Sequence, residues 1–205
     1  KTTEQGFPEL PIFSSMFQMN PGTEYDIEFE VLSSYFIDNV DFKSLNINED
    51  SFYPLENIYL SEPLIMRSVV LGQISFIPYK YHYQEKRLEV YDAVEVIITE
   101  SNQIQSEYFL PEKKSYIFEE LYESFVINYT KSDRDEDYQT PSILYICGGN
   151  SINNAYFQEL VNWRHKQGYI VTTVSTSETG SSENAINNYI SNAYLNWDNP
   201  PEIVG

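Results

Sequence analysis

Along this chain the spacing of apolar and polar positions changes once, near residue 141. Before that point the period is two, as in strands. Tyr25, Ile27, Phe29 and Val31 fall on one side of the 25–32 stretch, and Asp26, Glu28 and Glu30 on the other, which predicts a half-buried strand. Residues 64–83 hold two strand-like runs, with Gly72 as a candidate bulge and Pro78 as a break. Leu88, Val90, Val94, Val96 and Ile98 alternate again through 87–99. Tyrosines followed by charged residues between 79 and 88 predict a hairpin connection. Runs of this kind, separated by Pro, Gly, Asn and Asp, predict an antiparallel β-sandwich over 1–129. Within that span, 115–129 fits either a helix or an extended segment. Residues 130–141 contain no aliphatic side chain and four acidic ones between 133 and 137, and are predicted to form an exposed linker.

After Pro141 the pattern becomes that of an α/β unit. Residues 142–147, SILYIC, form a continuous apolar run, as expected of a strand buried on both faces. Gly148 and Gly149 turn the chain, and Asn150 or Ser151 is placed to cap a helix whose apolar stripe is Ile152, Tyr156, Phe157, Leu160 and Val161. Gly168 follows the basic run Arg164-His165-Lys166, where a helix C-terminal cap belongs. Residues 169–174 predict a second strand. Ser181 or Ser182 caps a second helix with the stripe Ala185, Ile186, Tyr189, Ile190, Ala193, Tyr194 and Trp197. Asn199-Pro200-Pro201 is a turn, and a third strand begins at Glu202. The order βαβαβ implies right-handed connections and a parallel sheet. The expectation is therefore an α+β two-part chain. It has an antiparallel β-sandwich at 1–129, a linker at 130–141 and, at 142–205, a parallel α/β domain left incomplete as its third strand starts.

Composition narrows the function classes. The chain has 205 residues and a formal net charge of −19. Such a surface repels phosphate, so nucleic acid and anionic membranes are poor partners. No run of about 18 apolar residues occurs, so no transmembrane helix is predicted. The start, KTTEQGFPELP, lacks a signal-peptide pattern, consistent with a cytosolic chain or one already trimmed. Cys147 is the single cysteine, so no internal disulfide can form.

No catalytic constellation is complete. Cys147-Gly148-Gly149-Asn150 lacks the third glycine of a dinucleotide loop, and a plain turn is the better reading. Cys147 as a nucleophile needs a base, and only His82 and His165 exist. Burial of Cys147 as a structural residue, cross-strand packing of His82 and a dipole-complementing place for His165 are the simpler assignments. No zinc spacing is present. Asn48-Glu49-Asp50 and the acidic run 133–137 are candidates for Ca²⁺, with solvated loops as the stronger reading.

Two stretches resemble the gingipain family of secreted cysteine peptidases, at the junction of propeptide and catalytic domain. In 62–98 they are Pro63, Arg67, Pro78-Tyr79-Lys80-Tyr81 and Leu88-Glu89-Val90-Tyr91. In 143–205 they are Trp163-Arg164, Gly168-Tyr169, Tyr194, Trp197 and Pro201-Glu202-Ile203-Val204-Gly205, with Arg164 where Lys is common. Residues 118–129 are also similar to the end of the family's propeptide. The resemblance implies a caspase-like catalytic domain whose His and nucleophilic Cys lie beyond Gly205; His82, Cys147 and His165 do not match them. It implies a zymogen fragment, inactive by itself, whose inhibitory or chaperoning propeptide has its own catalytic domain as partner. Protein or peptide substrates belong to the parent. Processing is expected in the linker, at Arg134 first and Lys131 second, unless both merely offset nearby acids. The chemistry requires no cofactor, although family resemblance allows Ca²⁺ in the parent. Secretion or cell-surface display follows from the same resemblance, with type IX secretion as a route. The alternatives are a non-catalytic β-sandwich adhesion module and a sortase-like family member in protein secretion.

Overall fold

A computed structural model describes residues 1–2, 7–42, 52–105, 110, 113–131 and 137–205. They form two compact units. One comprises Lys1–Tyr108 with Phe125–Tyr129, the other Phe109–Ser124 with Thr130–Gly205.

The first unit holds two antiparallel sheets, as the alternating pattern implies. One sheet is built on β6 (Val69–Phe76), flanked by β1 (Phe13–Met19) on one side and by β4 (Ile58–Leu60) and β5 (Leu64–Met66) on the other. The second has the order β2 (Thr23–Ile37), β8 (Arg87–Gln103), β7 (Tyr79–His82), β3 (Phe52–Tyr53). Ring contacts join the sheets: Phe29 of β2 meets Phe76 of β6 at 5.3 Å, and Phe17 of β1 meets Tyr25 of β2 at 5.6 Å. The expected hairpin joins β7 to β8 through residues 83–86, with Pro78 separating β6 from β7. Beyond α1 (Tyr116–Phe125), residues 126–128 lie parallel against β1. There the Asn128 amide imitates a peptide: its Oδ1 accepts from the Gln18 N–H at 2.6 Å and its Nδ2 donates to the Gln18 carbonyl at 3.0 Å.

Gly72 is not a bulge. It sits in unbroken register opposite Phe17. A Cβ there would stand 2.5 Å from Phe17 Cε1 and 2.9 Å from Met19 Sδ, so the residue is small to admit those side chains. The irregularities lie instead in the β2–β8 ribbon, between Thr23 and Tyr25 and on both sides of Ser33.

The second unit contains a parallel sheet in the order β10 (Ile170–Ser175), β9 (Ser142–Cys147), β11 (Ile203–Val204). The first strand is central, and its successors lie on opposite sides. Connections of one hand then require helices on opposite faces. That is observed. Tyr145 meets Phe157 of α2 (Ala155–Lys166) at 5.4 Å, while Leu144 and Ile146 pack with Ile190 and Ala193 of α4 (Glu183–Asn196).

Local signals fix the helix ends, with one correction. The cap of α2 is Asn154, whose side chain accepts from the Tyr156 and Phe157 N–H groups, rather than Asn150 or Ser151. Ser151–Asn153 form a 3₁₀ turn first, which delays the α-helix by one turn. Ser182 caps α4, as expected. At the end of α2, Gly168 (φ +91°) closes a Schellman motif: Gly168 N–H donates to His165 O at 3.0 Å and Tyr169 N–H to Arg164 O at 3.2 Å. A short helix, α3 (Thr176–Thr179), was not anticipated; a Ser175/Glu178 capping box holds it.

Candidate functional site

The end of the parallel sheet was the first place to seek chemistry. In a sheet with this strand order, ligands bind beyond the carboxyl ends of the strands, where the order reverses. Cys147 ends β9 there, and it is buried. His165 sits at the far end of the same sheet, because Ile170, which follows α2, pairs with Ser142 while Ser175 pairs with Cys147. Six residues of strand put the two ends about 17 Å apart. His165 Nδ1 lies 3.2 Å from the Tyr169 carbonyl and is exposed. His82 belongs to the other unit. It pairs across the sheets' strands with Phe52 and Arg87 and lies 3.5 Å from Glu89. Cys147 and His165 form no dyad, and His82 occupies a cross-strand position within its own sheet.

The polar site with the most unusual burial is the segment that leads into β9. Helix α1 presents Ser115, just before it, and Glu119 and Tyr122 on one face, and all three are buried. The helical reading of 115–129 places them at i, i+4 and i+7, so a carboxylate stands on an apolar stripe. Glu119 is 1% exposed. A buried carboxylate must be satisfied on both oxygens. Here Tyr138 Oη donates to Oε2, and Lys114 Nζ lies 3.8 Å from Oε1. Lys114 and Tyr138 form a parallel bridge, the Gln139 N–H donates to the Lys114 carbonyl at 2.9 Å, and the Tyr138 ring meets Tyr116 edge-on at 6.0 Å.

Within the exposed linker expected over 130–141, Asp137 and Thr140 are exposed, but Tyr138, Gln139 and Pro141 are not. Gln139 is 3% exposed and donates to the Pro200 carbonyl at 3.0 Å. Thr140 N–H donates to Asn199 Oδ1 at 3.1 Å, and Asn199 Nδ2 returns a bond to the Thr140 carbonyl at 2.9 Å. These bonds splice the segment to the chain before β11. The polar composition that suggested solvent exposure instead supplies the groups that satisfy the backbone. Lys131, the second processing candidate, stands 4.5 Å over the Tyr116 ring and 4.0 Å from Glu123. Arg134 lies outside the described residues, as do Asn48-Glu49-Asp50 and most of the acidic run 133–137. Among the described residues no group of three His, Cys, Asp or Glu side chains is placed to hold a metal. No described helix is long and apolar enough to cross a membrane.

Sequence reasoning missed Glu119, Lys114 and Tyr138. The signal was present: once 115–129 is read as a helix, Glu119 shares a face with Tyr122 and Val126.

Residues 42–135 match the protein family Propeptide_C25. The chain is 26% identical to Gingipain R2 of Porphyromonas gingivalis, across 94% of this chain and 29% of that protein. It is 25% identical to Gingipain R1 of the same species, across 94% of this chain and 22% of the relative. It thus spans less than a third of the length of either. A solved structure described as "Complex of Porphyromonas gingivalis RgpB pro- and mature domains" is similar at 29% identity and a TM-score of 0.47, covering 62% of this chain and 75% of that one. Residues 42–135 thus match a propeptide family, and the chain is similar to the gingipains along nearly its whole length.

Proposed function

We propose that this chain is the propeptide, followed by the first strands of the catalytic domain, of a gingipain-like cysteine endopeptidase zymogen. One observation carries the reading. A Propeptide_C25 segment runs directly into a parallel βαβαβ unit, and the alignment with Gingipain R2 continues through both, across 94% of the chain. In the parent, a thiolate would attack the scissile carbonyl, a histidine would move the proton, and backbone N–H groups would hold the oxyanion. The thiol and imidazoles of this chain do not supply that pair, so the chain is inactive alone. Its role is to keep its own catalytic domain latent and to assist its folding. Substrates are proteins or peptides, and the parent acts outside the cell or on its surface. Any Ca²⁺ belongs to the parent's catalytic domain.

Maturation is by cleavage in 130–141, at Arg134 first. Lys131 is the weaker candidate because Tyr116 and Glu123 engage its ammonium group. The test assays a precursor carrying this chain for peptide hydrolysis before and after cleavage there. The uncut form should be latent and the cut form active, and Arg134→Ala/Lys131→Ala should block autocatalytic maturation. Full activity of the uncut precursor would sink the proposal.

A further inference from the structure

We infer that Glu119 is a clasp that keeps the propeptide's last helix seated on the α/β unit after the chain is cut between Lys131 and Asp137. The inference rests on the zymogen reading above. It makes that reading more specific by naming the surface that survives cleavage and the group that holds it.

A cut in that interval leaves α1 on the N-terminal piece and residues 137–205 on the other. The Tyr138–Glu119 hydrogen bond then joins two chains, while the Lys114–Glu119 ion pair stays within the N-terminal piece. The Tyr138 hydroxyl comes from the C-terminal piece, and the carboxylate and the Lys114 ammonium come from the N-terminal piece. The Gln139 N–H to Lys114 carbonyl bond and the Tyr116–Tyr138 ring contact also cross the cut. The C-terminal side of this contact is tied to the parallel sheet. Gln139 and Ser142 side chains both reach the Pro200 carbonyl, at 3.0 and 2.8 Å, and Ser142 N–H donates to Glu202 Oε2 at 3.2 Å. The segment 137–142 is thus part of the sheet's framework, and α1 docks onto it.

The energetic logic is asymmetric. Glu119 is almost fully buried, so pulling α1 away breaks its bond from Tyr138 together with the Gln139–Lys114 backbone bond and the Tyr116–Tyr138 ring contact. Removing the carboxylate from an intact clasp costs the buried Tyr138–Glu119 hydrogen bond. Separation is therefore slow while Glu119 is present, and chain scission alone does not release the helix.

The experiment replaces residues 132–136 with the recognition sequence of a specific protease in the full chain. After cutting, the dissociation constant of the two pieces is measured by gel filtration and by surface immobilisation. The wild-type pieces should co-elute. Glu119→Gln should weaken the association about tenfold or more, and Tyr138→Phe, which removes only a hydroxyl, by a smaller factor. Immediate separation of the wild-type pieces would overturn the inference. So would Glu119→Gln and Tyr138→Phe pieces that hold as tightly as the wild type. Because the cut is engineered, a natural maturation site elsewhere would count against the zymogen reading without touching this result.

Discussion

The two units store their structural information differently. In the antiparallel unit, β2 has 15 residues and β8 has 17, and their register is held by partners up to 80 positions apart in sequence, such as Thr23 and Gln103. Its order depends on rings that meet between sheets and on a glycine that makes room for two side chains. In the parallel unit the outer strand β10 and the central strand β9 have six residues each. The helices between them begin and end on groups within five positions of the boundary, such as Asn154, Ser182 and the Gly168 motif. Distant contacts dominate the first unit and local chemistry frames the second. Large-to-small changes in either core should therefore cost much more than the loss of a local signal.

The largest effect should come from Leu144→Ala. This side chain is 0% exposed and packs with Val174 and Ala193. The loss should be about 2–5 kcal/mol. Leu71→Ala, at 1% exposure in β6, should cost about as much in the other unit. Urea unfolding followed by unit-specific probes, Trp163 and Trp197 for the α/β unit, would show whether each change moves only its own transition. A shift of both transitions by either change would break the contrast between the units.

Gly72→Ala comes next, at about 1–3 kcal/mol, because Phe17 or Met19 must leave its rotamer. Denaturation midpoints should fall for the antiparallel unit alone. An unchanged midpoint would show that the strand relaxes around the new methyl group. Asn154→Ala should cost about 1 kcal/mol, the usual worth of an N-cap, and Asn154→Asp should restore it. If Asn150→Ala costs more, the cap has been misplaced.

The smallest effect concerns pH. Burial first, and the Glu89 carboxylate second, push the Tyr91 phenol up to about 12. Its ordinary value is about 10. The folded state therefore holds this proton more tightly than the unfolded one. The stability it contributes is fully present below about pH 10 and is lost as the pH rises towards about 12. In Tyr91→Phe the midpoint should fall less over that interval than in the wild type. Equal slopes would remove Tyr91 from the alkaline response.

Much of this was legible in the sequence, and the division follows the same contrast. The period-two runs located β2, β6 and β8, Gly168 located the end of α2, and Ser182 located the start of α4. The sandwich, the parallel βαβαβ order and the similarity to the gingipains were all readable. Strand β1 was not, because Ser14 and Ser15 break its apolar rhythm and only Phe17 and Met19 of its length turn inward as buried residues. The true place of Gly72 depended on side chains 53 and 55 positions away, which no local pattern reveals. Gln139 and Thr140 were misread because their polar groups bond to a stretch of chain 59 to 61 positions distant. Glu119 was missed for a related reason: an acidic residue in an ambiguous segment reads as solvated until its helical face is known.

In the proposed function this chain is the propeptide and catalytic opening of a zymogen. The most direct test is to express the full-length precursor, let it mature and sequence the new N-terminus by Edman degradation or mass spectrometry. The account predicts a mature chain that begins within residues 132–142, most simply at Asp135, after Arg134. A mature N-terminus well outside 130–142, or a product that retains residues 1–129 in covalent linkage while fully active, would contradict it.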